Sequence, residues 1–176
     1  CEQTKDELML CCAVWMLSWA ESWLGFHEES ALNRERAHEI FSRRRNVPMS
    51  DLCIVGDADA ALHSGAAPEK AITLAQKAVT SSRAIGGIYG QGLAHRTWAR
   101  ALAALDEPDW TEVEAHLDQS IAILQSGECW LPVAQTRVLA GELASTCGKR
   151  EKALEHFERA AATFAAAELR ADFEKV

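Results

Sequence analysis

Apolar residues along the chain recur three and four positions apart, with no stretch of sustained apolar–polar alternation. That is the period of helix and not of strand. Short breaks rich in Gly, Pro, Asn and Asp divide the pattern into eight predicted helices. The first runs from about Lys5 to at least Leu24, and its continuation past Gly25 to Leu32 is left open. Asn33 then reads as a turn or cap, with a second helix over Arg34–Arg45 and Pro48 beyond it. A third helix is capped at or near Ser50 and ends by Ser64, and a fourth covers Glu69–Arg83. Gly86 and Gly87 break the chain before a fifth, Ile88 to Leu105. Asp106–Asp109 supplies a turn and an N-cap for a sixth, Trp110 to about Gln125. The seventh starts between Gly127 and Pro132 and reaches Cys147, and the eighth starts near Arg150. Leu169, Phe173 and Val176 suggest a terminal amphipathic segment over the last apolar face. The expected fold class is all-α, with short connections that make successive helices antiparallel neighbours.

A small-residue signature recurs within this pattern. Ala153-x3-Phe157-x2-Ala160 follows Gly141, Ala144 and the turn residue Gly148; Ala71-x3-Ala75-x2-Ala78 follows Asp59, Leu62 and Gly65. Val113-x3-Leu117-x2-Ser120 follows Ala99, Leu102 and the turn at Pro108. Small residues three and four apart share one helix face and let a neighbouring helix come close. The intervals, 42 and then 40 residues, point to stacked helix pairs. For the first pair two registers stay open. Ala37-x3-Phe41 is preferred and places Leu24–Gly25 in the preceding helix's slot; Ala31 would instead set Glu35 and His38 on the small face.

These residues resemble the tetratricopeptide repeat family, whose hallmark is W-x2-L-G-x2-Y, then A-x3-F and a later proline. Gly141, Ala144, Ala153, Phe157 and Ala160 carry the best copy, and Trp98 and Leu102 fill the large apolar slots of the Ala99 copy. In the Asp59 copy an acid stands where glycine is usual. The long intervals and the run Gly92 to Leu105 look like the arrays at the C-terminal end of bacterial multidomain signalling ATPases, nucleotide cyclases and transcriptional regulators. The resemblance implies a right-handed superhelix, an α-solenoid of hairpins at about 5–45, 49–84, 88–126 and 130–165 with a cap over 166–176. It implies one repeat domain over 1–176, expected to be a fragment of a longer protein.

Composition narrows the partners. The net charge of −8 disfavours nucleic acid or anionic membrane, since both need a basic face. Arg43, Arg44 and Arg45 form the only basic run and are expected at a helix end, where they favour its dipole. The six cysteines (Cys1, Cys11, Cys12, Cys53, Cys129, Cys147) form no C-x2-C pair, which fits a reducing cytoplasm better than a disulfide framework. A lipidated Cys1 is the alternative. The apolar run Leu8–Ala20 is too short to span a bilayer, which takes about 20 residues.

No chemistry-bearing motif completes itself. His27-Glu28 and His38-Glu39 lack the second histidine of a zinc helix, because Ala31 and Ser42 stand there. Gly86, Gly87, Gly90 and Gly92 lack both the order of a nucleotide loop and its strand, so they read as a packing hinge. His116 and His156, each before the large apolar residue of its helix, read as a structural habit and not a metal pair. No enzyme activity, catalytic residue, metal or cofactor is expected. Trp15, Trp19 and Trp23 form a stripe that is either core or an aromatic interface.

In the resembled family the first helices of successive hairpins line a groove. Carried onto this sequence, the groove candidates are Cys53, Gly56, His63, Arg96, Arg100, Gln135, Val138 and Glu142. His63, Arg96, Arg100, Gln135 and Glu142 are the expected partner-binding residues, with Arg96 and Arg100 on one face to hold a carboxylate or phosphate or to pair with Glu142. The expected function is capture of a peptide, a protein segment or another domain of the same polypeptide, in a regulatory part of a larger bacterial protein. A small-molecule effector site near His63 and Arg96 is the alternative.

Overall fold

The computed structural model describes residues 2–43 and 50–166. Among them the chain is all-helical: α1 (Glu2–Leu24), α2 (His27–Ser42), α3 (Ser50–His63), α4 (Pro68–Ile85), α5 (Ile88–Ala103), α6 (Trp110–Ser126), α7 (Trp130–Thr146) and α8 (Arg150–Ala166). The expected cap at Leu169, Phe173 and Val176, together with Cys1, Arg44 and Arg45, lies outside the described residues.

Helix ends follow local chemistry. The Asp109 carboxylate accepts the backbone N–H of Thr111 (2.9 Å) and Glu112 (3.3 Å), the N-cap the sequence predicts. Pro68 opens α4, where its missing N–H costs nothing. The break between α1 and α2 falls at Gly25, whose φ of +84° is accessible to glycine at little cost. The expected turn at Asn33 is therefore corrected. Asn33 sits in mid-α2, and its side-chain amide donates to both carboxylate oxygens of Glu21 at 3.0 and 2.9 Å.

Consecutive helices pack on one another from α1 to α8, and α1 touches α3, α3 touches α5, and α5 touches α7. Backbone packing joins neither α2 to α4, α4 to α6 nor α6 to α8 among the described residues, although Lys152 Nζ of α8 pairs with Glu114 Oε2 of α6 at 2.8 Å. The core follows suit as a row of small clusters. Cys11, Val14, Trp15, Ala37 and Cys53 join α1–α3, and Val55, Ala78, Val79, Leu93 and Ala94 join α3–α5. Ala99, Leu102, Val113, Leu117 and Ala140 join α5–α7, and Ala134, Ala160 and Phe164 join α7 to α8.

The small-residue face is buried where the sequence places it, at Ala71, Ala75, Ala78, Val113, Leu117, Ser120, Ala153 and Ala160. Gly141 makes room for the Phe157 ring, since a Cβ there would lie 2.6 Å from Cε1. In the first hairpin neither expected register holds in full. Ala31 is exposed and Ala37 is buried, but Gly25 is a turn residue and not a helix slot. The positions equivalent to Ala71, Ala75 and Ala78 are Ser30, Arg34 and Ala37, because each lies the same distance from its helix start. Ser30 and Ala37 are buried, and Ser30 Oγ donates to the Ser18 carbonyl at 2.7 Å across the hairpin. The intervals become 41, 42 and 40 residues.

Candidate interaction face on the first helices

Asp59 on α3 occupies the slot that Gly141 fills on α7, twelve residues before the small-face alanine in each case. It is 1% exposed, and a buried carboxylate needs compensation from donors or positive charge. Two helices supply it. Thr97 Oγ1 on α5 donates to Oδ1 at 2.8 Å, Arg100 Nη1 on α5 reaches the same oxygen at 3.4 Å, and Trp19 Nε1 on α1 donates to Oδ2 at 3.3 Å. The acid that breaks the repeat pattern is thus the tie between three of the first helices.

Around it lies a partly open layer. His63, one turn along α3, has Nδ1 2.8 Å from the Asp59 carbonyl oxygen, so Nδ1 carries the proton and Nε2 faces Arg100 Nη2 at 3.4 Å as an acceptor. The Trp23 ring lies 4.6 Å from the His63 ring, and the Arg100 guanidinium sits 5.3 Å from the Trp23 centroid, within cation–π range. One turn back on α5, Arg96 Nη1 donates to Gln135 Oε1 of α7 at 3.3 Å. Burial pulls the Arg96 guanidinium below its ordinary pKa against the attraction of Asp59; arginine side chains carry their charge throughout the neutral range. Arg100 has a carboxylate partner; Arg96 has none among the described residues. One polar row therefore crosses all four first helices, from Trp19 and Trp23 through Asp59 and His63 to Arg96, Arg100 and Gln135.

The expected site residues divide accordingly. His63 joins Arg100, and Arg96 joins Gln135, while Glu142 is exposed two turns beyond Gln135 with no side-chain partner among the described residues. The expected pairing of the arginines with Glu142 is replaced by Asp59 and Gln135. Cys53 and Gly56 do not face a groove. Cys53 is buried beside Cys11, where desolvation pushes its thiol pKa up, and Gly56 lies under the Trp15 indole. Val138 packs against Ala134, Ala160 and Phe164. The tryptophan stripe splits: Trp15 is core, Trp19 is half-buried on Asp59, and Trp23 is 55% exposed. Sequence reasoning missed Asp59, Thr97 and Trp19 as one cluster; its signal is an acid in the slot that Gly141 fills on α7.

A second titratable group lies inside the α5–α6 hairpin. His95 Nδ1 and His116 Nδ1 are 2.8 Å apart, both residues are buried, and the Trp98 ring stacks on His116 at 4.0 Å. Desolvation, helped by His116 and Arg83, lowers the His95 pKa to about 4, and desolvation lowers that of His116 against the attraction of Glu112. Two neutral rings share the proton, so this pair is a packing device. His156 is elsewhere, its pKa lowered by burial and then by Lys152 and Arg137.

Among the described residues no three His, Cys, Asp or Glu side chains gather as metal ligands, and no helix is long and apolar enough to cross a membrane. A cavity of about 10 Å³, room for about one water, lies between α6, α7 and α8 beside Trp110, Leu117, Leu143 and His156, away from Arg96. Comparison of the chain with family models, curated proteins and solved structures returns no match.

Proposed function

We propose that this chain is a noncatalytic interaction module. Its four hairpins stack as a right-handed tetratricopeptide-like superhelix, and its first-helix face captures a peptide or protein segment. The observation that carries the reading is the polar row across α1, α3, α5 and α7, in which Arg96 has only a neutral partner. A ligand carboxylate can displace Gln135 and take the guanidinium fork in two parallel hydrogen bonds. Asp59 already neutralises Arg100, which therefore serves to hold Trp23 as an aromatic platform for the ligand's apolar side chain. Glu142, seven residues along α7 from Gln135, offers a carboxylate to a basic residue of the same ligand. The net charge of −8 likewise favours a ligand that is basic overall. The fitting segment carries one acid over Arg96, an apolar residue over Trp23 and a base towards Glu142. The resemblance adds a setting for such capture, a regulatory portion of a larger bacterial cytoplasmic protein.

The test is selection from a displayed peptide library followed by fluorescence anisotropy on the purified chain. Selected peptides are expected to share that acid–apolar–base order. Arg96→Ala should weaken them at least about tenfold, or 1.4 kcal/mol, while Arg96→Lys keeps the charge and loses the fork. Peptides that bind Arg96→Ala as tightly as the unaltered chain would overturn the assignment.

A further inference from the structure

α1 is apolar on two sides, and only one of them is covered. Cys11, Val14, Trp15, Ser18 and Ser22 are buried, on the side that meets α2 and α3. The opposite side exposes Met9 (69%), Leu10 (44%), Met16 (59%), Leu17 (50%), Trp23 (55%) and Leu24 (72%), with exposed Ala13 and Ala20 between them. A helix that is hydrophobic all round belongs in an interior. These six side chains leave roughly 600–800 Å² of apolar surface open, more than a monomer's largest patch usually holds and close to the ~800 Å² that each partner gives to a standard interface.

The order of residues on this face says what fits it. Positions 9, 13, 16, 20 and 23 alternate steps of four and three, the spacing of a helix-on-helix seam, and 10, 17 and 24 flank it seven apart. The whole set maps onto itself when the helix is reversed about a point between Met16 and Leu17. Met9 exchanges with Leu24, Leu10 with Trp23, Ala13 with Ala20, and Met16 with Leu17. Large residues then meet large ones at the centre and at both ends, and alanine meets alanine between them. No charged residue lies from Met9 to Ala20, so reversal brings no like charges together there. Glu21, at the border, turns its carboxylate to Asn33 of α2.

We propose that this face binds the same face of a second copy of the chain, antiparallel, about a two-fold axis between Met16 and Leu17. Self-complementarity under reversal is what a two-fold contact requires. Leu10 of the second copy would rest on Trp23, whose other side covers His63 and Arg100, so pairing and a ligand's apolar side chain compete for this indole.

Sedimentation velocity on the full 176-residue chain over a range of concentrations tests the pairing. The unaltered chain should reach twice its 19.3 kDa mass. The double variant Met16→Glu/Leu17→Glu should sediment as a monomer with unchanged far-UV circular dichroism, since both side chains are half or more exposed. A chain monomeric throughout, as when some other segment covers the face, overturns the proposal, and so does a double variant that still pairs. Should the glutamates disturb folding, Ala13→Cys/Ala20→Cys decides the matter. An intermolecular 13–20 disulfide identified by mass spectrometry supports the antiparallel contact, and its absence refutes it.

Discussion

The α3–α4 and α7–α8 hairpins have the same plan and fill one slot in opposite ways. On α7 the slot is Gly141, and the space a side chain would take is occupied by the Phe157 ring. On α3 it is Asp59, a buried carboxylate that collects donors from α1 and α5. The first solution holds a hairpin to itself by packing. The second holds a hairpin to its neighbours by hydrogen bonds and charge, and it leaves His63, Arg100 and Trp23 arranged at the surface. The glycine slot makes scaffold here, and the carboxylate slot makes the candidate site.

The largest effect on stability should come from removing the departure. Asp59→Ala strands the Thr97 hydroxyl and the Trp19 indole N–H and leaves Arg100 without its counter-charge, at a cost of about 2–4 kcal/mol. Chemical denaturation measures it, and a loss below about 0.5 kcal/mol would show that the cluster is not a tie. Gly141→Val attacks the conforming slot. Its Cβ would start 2.6 Å from Phe157, and overpacking of this kind costs about 1–3 kcal/mol. Adding Phe157→Ala should return part of that loss, a coupling that a double-mutant cycle detects; simple additivity would contradict the packing account.

The α5–α6 hairpin offers a third comparison, with titration as the probe. Folded, His95 titrates near pH 4, whereas an exposed imidazole does so near 6.5. As pH falls the unfolded chain takes up the proton first. Stability is therefore fully present above about pH 6.5 and declines as pH falls, by about 2 kcal/mol at pH 5 and about 3 kcal/mol near pH 4. Denaturation midpoints at pH 7.5 and 5 measure this. His95→Gln should reduce the difference, and an unchanged slope would assign it to other groups.

The helices from α3 onwards were legible because their punctuation is local. Gly65, Gly86, Gly148, Pro68 and Asp109 each act within a turn of where they stand. The first hairpin was not, because its small face is written in polar residues. Ser30 can be buried only because its hydroxyl finds the Ser18 carbonyl, and half-buried Arg34 keeps its guanidinium 3.7 Å from Asp57 on α3. Both compensations come from other helices, which no window along α2 contains. Asn33 misled for a similar reason, its turn-like chemistry being spent on Glu21 of α1. Of the candidate site, the resemblance pointed to His63 and the arginines, and helical spacing put Arg96 and Arg100 on one face, but their partners could not be read. Asp59 lies 38 residues from Thr97 and 41 from Arg100.

The central claim, that the first-helix row is where a partner is held, is tested most directly by nuclear magnetic resonance. A selected acid–apolar–base peptide would be titrated into the isotopically labelled chain. The account predicts that shifts concentrate on Arg96, Gln135 and Glu142 and on the Trp23 indole N–H, and that they vanish in Arg96→Ala. Shifts gathered instead on the outward faces of α2, α4, α6 and α8, with Arg96 and Gln135 unmoved, would contradict it.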